Sequence, residues 1–141
     1  MTKQEMENVL TRAANRPIAS QPDLFSFTEA TRQCECNIVG HFANELRKEL
    51  PDLHCYTDVI KARFGKMRPD VSIHRRGTHA HNVLVVEVKR RKVDVKGDIT
   101  QTTRYWSSPP LLYRFGAVVV INNTEAPHVM VLENAAPAIS T

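Results

Sequence analysis

Pro69-Asp70-Val71-Ser72-Ile73-His74 and Val83-Leu84-Val85-Val86-Glu87-Val88-Lys89 decide the fold, and a polar break from Gly77 to Asn82 separates them. Both stretches read as β-strands, and the break between them reads as a turn. Successive side chains in a strand alternate faces, so Glu87 and Lys89 point one way and Val86 and Val88 the other. The second stretch is apolar on both faces except for Glu87 and Lys89, which places it centrally in a sheet. In the first stretch, Val71 and Ile73 share one face, and Asp70, Ser72 and His74 share the other. Acid stands in both strands where a core strand should be apolar. An Asp at the start of one strand and a Glu-x-Lys on the next would bring two carboxylates and an ammonium together. That grouping suits a hard cation held beside a phosphate.

Working outward, Leu53 to about Ile60 is a candidate strand before Asp70, followed by a basic loop or hairpin at Lys61–Arg68. Upstream, Ser26-Phe27-Thr28-Glu29 fits a capping box, and the long helix it opens is expected to run to about Leu50, where Pro51 ends it. At 100° per residue, Ile38, Val39, Phe42, Ala43, Leu46 and Leu50 share one face of that helix. Glu35 falls near the middle of the same stripe, where an acid is costly unless something binds it. Glu45 and Glu49 sit at its edges. At the N-terminus, Met6, Leu10 and Ala13 give residues 2–14 modest helical character, and Arg16-Pro17 and Gln21-Pro22 predict a loop over 15–25.

Downstream, a helix is expected from about Val95 through Trp106, ending at Ser107-Ser108-Pro109-Pro110. Ala117–Ile121 is a continuous apolar run and reads as a buried strand. His128–Leu132 reads as a last short strand at an edge, and the chain from Asn134 reads as a loose tail. Short links among the first three strands favour antiparallel pairing. The helical crossover favours a parallel partner for the third strand. The expected class is α/β, with helices flanking a small mixed sheet. The expected organisation is an N-terminal helix and loop at 1–25, a core at 26–133 and a flexible tail at 134–141.

The chain has 141 residues, which suits one domain. No apolar run approaches the ~18 residues of a membrane span, and no secretory signal is read at the N-terminus. Cys34, Cys36 and Cys55 are an odd number of thiols, which argues for reduced cysteines and a cytoplasmic location. Cys34-x-Cys36 has no convincing second half for a zinc site. Between Lys61 and Lys92 stand ten Lys or Arg against two acids, Asp70 and Glu87. That window carries +8 within a chain of +4, so the remainder is −4. A positive field concentrated around two carboxylates is what a polyanion-binding surface needs.

Pro69-Asp70, a gap of sixteen residues and Glu87-Val88-Lys89 together resemble the PD-(D/E)xK nuclease superfamily, the restriction-endonuclease-like fold. The resemblance covers about residues 28–122 and implies an αβββαβ core. Gln101-Thr102-Thr103-Arg104-Tyr105 stands where the branch resembling recombination helicase–nucleases carries Gln-x-x-x-Tyr. Spacing i, i+4 puts Gln101 and Tyr105 on one helix face. The resemblance implies a metal-dependent nuclease acting on DNA, with Asp70, Glu87, Lys89 and Glu35 as its catalytic residues. It implies Mg²⁺, with Mn²⁺ possible, held by Asp70, Glu87, the Val88 carbonyl and Glu35. Gln101, Tyr105, Arg90 and Arg91 would bind the substrate backbone. Lys89 would position or activate the attacking water and stabilise developing negative charge. Two rival readings keep the fold. One is a catalytically silent nucleic-acid-binding or scaffold module, and the other is a subunit active only as a homodimer or in a larger assembly.

Overall fold

The computed structural model describes residues 1–20, 34–57, 70–74, 82–90, 113–122 and 125–134. Two helices and five strands lie within them: α1 (Lys3–Ser20), α2 (Cys34–Glu49), β1 (His54–Thr57), β2 (Val71–His74), β3 (Asn82–Lys89), β4 (Phe115–Val120) and β5 (His128–Glu133). The class is α/β on a small mixed sheet. Among the described residues, no helix is long and apolar enough to cross a membrane.

A capping box at Thr2-Lys3-Gln4-Glu5 starts α1. The Glu5 N–H donates to Thr2 Oγ1 at 3.1 Å, and the Thr2 N–H donates to Glu5 Oε2 at 2.6 Å. The donation from the Thr2 backbone holds the Glu5 carboxyl below the usual carboxylate range. The box expected at Ser26–Glu29 lies outside the described residues. Met6, Val9, Leu10, Ala13 and Ala14 then form a buried stripe at helical spacing.

Residues 15–20, expected to open a loop over 15–25, are helical instead, because α1 continues through Pro17 to Ser20, and 21–25 lie outside the described residues. Proline costs about 3 kcal/mol in a helix interior because it removes one backbone bond and crowds the preceding turn. Here only three helical residues follow it. Arg16, just before it, is tied to α2 through Glu45 at 3.1 Å and Glu49 at 3.2 Å. The docked stripe and these contacts hold the last turn in place.

In α2, Ile38, Phe42, Ala43 and Leu46 are fully buried, as their shared face predicts. The helix stops before Pro51, which disfavours helical geometry at the residue preceding it. Glu45 and Glu49, at the edges of the stripe, meet Arg12, Arg16 and Lys48. Lys48 first, then Arg16, draws the Glu45 carboxyl below its ordinary range. The basic partners are about half exposed or more, so these pairs orient the helices more than they stabilise them.

The strands lie in sequence order, β1-β2-β3-β4-β5. β1/β2, β2/β3 and β4/β5 are antiparallel, and β3/β4 is parallel. The meander and the parallel crossover partner therefore match the pattern read from the link lengths. Both helices cover one face. α1 packs on α2, β4 and β5, and α2 packs on β1 and β3. Val71, Ile73, Leu84, Val86, Val88, Phe115, Ala117, Val119 and Ile121 meet the two helices in one core. α1 belongs to that same core. A bulge at the far end of β3 pairs Ile73 with Leu84 but His74 with Asn82, leaving Val83 unpaired and packed toward the core. The opposite face carries Ser72, Val85, Val118 and Val120, all buried.

Candidate active site

β2 and β3 bring the two acids together. Val71 pairs with Val86, so one step further Asp70 stands opposite Glu87. The ladder ends at Val71, and the Asp70 side chain takes over from it. The Val88 N–H donates to Asp70 Oδ2 at 2.7 Å. Val88 is the middle residue of Glu87-Val88-Lys89, so this carboxylate is anchored at the centre of the tripeptide. A charge-assisted bond of this length is worth roughly 1.5–3 kcal/mol when partly buried.

The bond also fixes which edge of β3 faces Asp70. In an extended strand, the N–H and C=O of one residue leave by the same edge. The Val88 carbonyl therefore faces β2, beside Asp70. The Lys89 carbonyl leaves by the other edge and accepts from Ile121 N–H at 2.8 Å. Val86 and Val88 are buried against the helices, so Glu87 and Lys89 stand on the opposite face, both half-buried. Their register partners on β4 are the buried Val118 and Val120, an apolar floor that strengthens any charge interaction above it. The Arg90 carbonyl accepts from Asn122 Nδ2 at 3.3 Å, which ties the exit of β3 to the end of β4.

The donors that the register brings to this end of β2 and β3 are two carboxylates and a backbone carbonyl. An all-oxygen set suits a hard cation that keeps several waters, as Mg²⁺ does. Among the described residues, no three His, Cys, Asp or Glu side chains gather into a fuller cage. Glu35 lies in the first turn of α2, and its side chain is outside the described residues. Its backbone position is informative, because the four-residue link from Glu49 to His54 turns the chain back. The start of α2 and the Thr57 end of β1 therefore share one end of the sheet, where Asp70 also stands. Gln101, Tyr105 and Arg91, like the rest of the helix expected from Val95 through Trp106, lie outside the described residues.

Ser72 shares the face of Asp70, Glu87 and Lys89 by alternation, but it is buried, beside the Tyr113 phenol. Tyr113 is the largest fully buried side chain among the described residues. Burial pushes its hydroxyl up to about 12, partly offset by Ser72. The unfolded chain ionises this group near pH 10 and the folded one near 12, so stability falls as pH rises between those values. The expected loss is about 2–3 kcal/mol across that window. Urea unfolding on either side of it should show the decline, and Tyr113→Phe should flatten it.

His74 is half-buried and stacked on Tyr56, with ring centroids 4.7 Å apart and 14° between planes. The meeting of Tyr56 with His74 is not legible from the residue order, because β1 alternates unevenly and its register with β2 is set by packing. Cys55, on the helix side of β1, is a half-buried free thiol whose ionisation is pushed up by burial. Comparison with protein-family models, curated proteins and solved structures gave no match to this chain.

Proposed function

We propose that this chain is a metal-dependent nuclease hydrolysing phosphodiester bonds in DNA, with Asp70, Glu87 and Lys89 as its catalytic set. The observation that carries the reading is the 2.7 Å bond from Val88 N–H to Asp70. It joins the Pro69-Asp70 and Glu87-x-Lys89 halves of the motif into one constellation. A structural ion-pair cluster would not need an acid pinned to the backbone between the other two residues.

Asp70, Glu87 and the Val88 carbonyl would hold Mg²⁺ or Mn²⁺, with Glu35 approaching from α2. Such an ion supplies charge relief on the phosphate and a more acidic water. The chain's own residues do the rest. The Val88 N–H keeps Asp70 from swinging toward solvent, so the carboxylate is oriented before substrate arrives. Lys89, two residues from Glu87 on the same face, orients the attacking water and stabilises charge developing on the phosphate oxygens. Gln101 and Tyr105 would position the substrate backbone. Arg90 and Arg91, leaving the end of β3, would meet flanking phosphates. The +8 window around the acids draws a polyanion to them.

The test is a metal panel on supercoiled, linear, single-stranded and branched DNA, with RNA alongside. Cleavage of DNA in Mg²⁺ or Mn²⁺, abolished by EDTA, is the expected result. Binding that persists in EDTA, with no cleavage of any form, would replace this reading with that of a binding module.

A further inference from the structure

We infer that His54, Tyr56 and His74, at the β1 edge of the sheet, form a stacking platform for unpaired bases of single-stranded DNA. The inference rests on the nuclease reading for the fate of that strand, and it names the form of DNA presented to the site.

Three observations converge on this edge. The first is a ring stack in which Tyr56 is exposed and the two histidines are half-buried. Tyr56 lies 4.7 Å from His74 and 6.3 Å from His54, centroid to centroid, with planes inclined by 14° and 25°. Tyr56 is 40% exposed, and among the described residues only Met1 is another exposed large hydrophobic. Cross-strand aromatic contacts also steady a sheet, but that role does not require the ring to face water. β1 is only four residues long and pairs with β2 alone among the described strands.

The second observation is position. Cys55 and Ile73 pair with each other and face the helices, so Tyr56 and Ser72 face the other way. That is also the face of Glu87 and Lys89. Tyr56 pairs with Ser72, two residues from Asp70, or about 7 Å along β2 and one strand across. A base added to this ring stack would bring its phosphates toward the end of the sheet where Asp70 and Glu87 stand.

The third is charge. The segment joining β1 to β2 carries Lys61, Arg63, Lys66 and Arg68 against two acids, Asp58 and Asp70. The segment joining β2 to β3 carries Arg75 and Arg76 and no acid. Aromatic rings offer a π-face that every base can use, and cationic side chains attract the backbone. A duplex keeps its bases stacked inside, so the complementary ligand is a single strand.

The experiment is fluorescence anisotropy of the full chain with a labelled oligothymidylate of about 12 nucleotides, and with a duplex of equal length, in EDTA. Wild type should bind the single strand more tightly than the duplex. Tyr56→Ala should weaken single-strand binding about 5- to 100-fold and leave duplex binding in place, while Tyr56→Trp should restore it. Circular dichroism melting checks that the variants are folded. Unchanged single-strand affinity in Tyr56→Ala, equal losses on both ligands, or a Tyr56→Trp protein no better than Tyr56→Ala would overturn the platform. Because EDTA removes cleavage, these outcomes are independent of the nuclease reading, which stands or falls on the metal panel.

Discussion

Asp70→Asn is expected to bring Mg²⁺-dependent DNA cleavage down to background while the sheet stays assembled. The substitution keeps the shape of the side chain and an oxygen that can accept from Val88 N–H. It removes the negative charge, which a hard cation needs far more than a backbone amide does. The stability cost should be about 1 kcal/mol, the difference between a charge-assisted and a neutral hydrogen bond. Asp70→Ala removes the acceptor as well and should cost more, leaving Val88 N–H without the ladder's last partner. Lys89→Met keeps the apolar stem and removes the ammonium. Loss of one group aimed at developing charge typically lowers turnover by about 10²–10³-fold. Cleavage of supercoiled DNA, followed beside thermal melting, separates the chemistry from the fold. Full activity in a folded Asp70→Asn protein would remove Asp70 from the catalytic set.

These expectations rest on an arrangement that was partly visible in the residue order. Alternation in Val83–Lys89 was enough to separate Glu87 and Lys89 from Val86 and Val88, and the structure places those valines against the helices. Link lengths were enough for the antiparallel meander and the parallel β3/β4 pair, because a tight link and a long crossover permit different geometries. What could not be read was register. The pairing of Val71 with Val86 aligns Asp70 with Glu87, and it is set by how the strands pack, not by either strand alone. The same is true of Tyr56 and His74, which meet diagonally across two strands separated by a basic connection. Pro17 shows the converse. A local rule predicted a break, and contacts from Arg16 to a second helix overrode it. The capping box at Thr2 is local in origin, since Thr-x-x-Glu carries both halves of it.

Phe42→Ala should be among the most damaging single changes in the described core, and it tests whether α2 is what holds the site end of the sheet. Phe42 is fully excluded from solvent and belongs to the cluster that joins α1, α2 and the helix-side strand residues. Truncating a buried Phe removes its transfer free energy and leaves a cavity, for a typical loss of about 3–5 kcal/mol. That is a large part of the ~5–15 kcal/mol by which a domain is usually stable. The surrounding cluster offers little relief, since its alanines are small and its large members such as Leu10 and Leu46 are already fully buried. Phe42→Leu keeps most of the volume and should cost less than about 1.5 kcal/mol. Urea unfolding of the two variants should therefore give well-separated midpoints with similar slopes. A loss below about 1 kcal/mol in Phe42→Ala would mean that α2 does not dock through this residue. The start of α2, where Glu35 stands, would then have no fixed relation to Asp70. Cleavage per folded molecule should survive in Phe42→Leu, because the substitution loosens the packing behind the sheet without touching the face that carries Glu87 and Lys89.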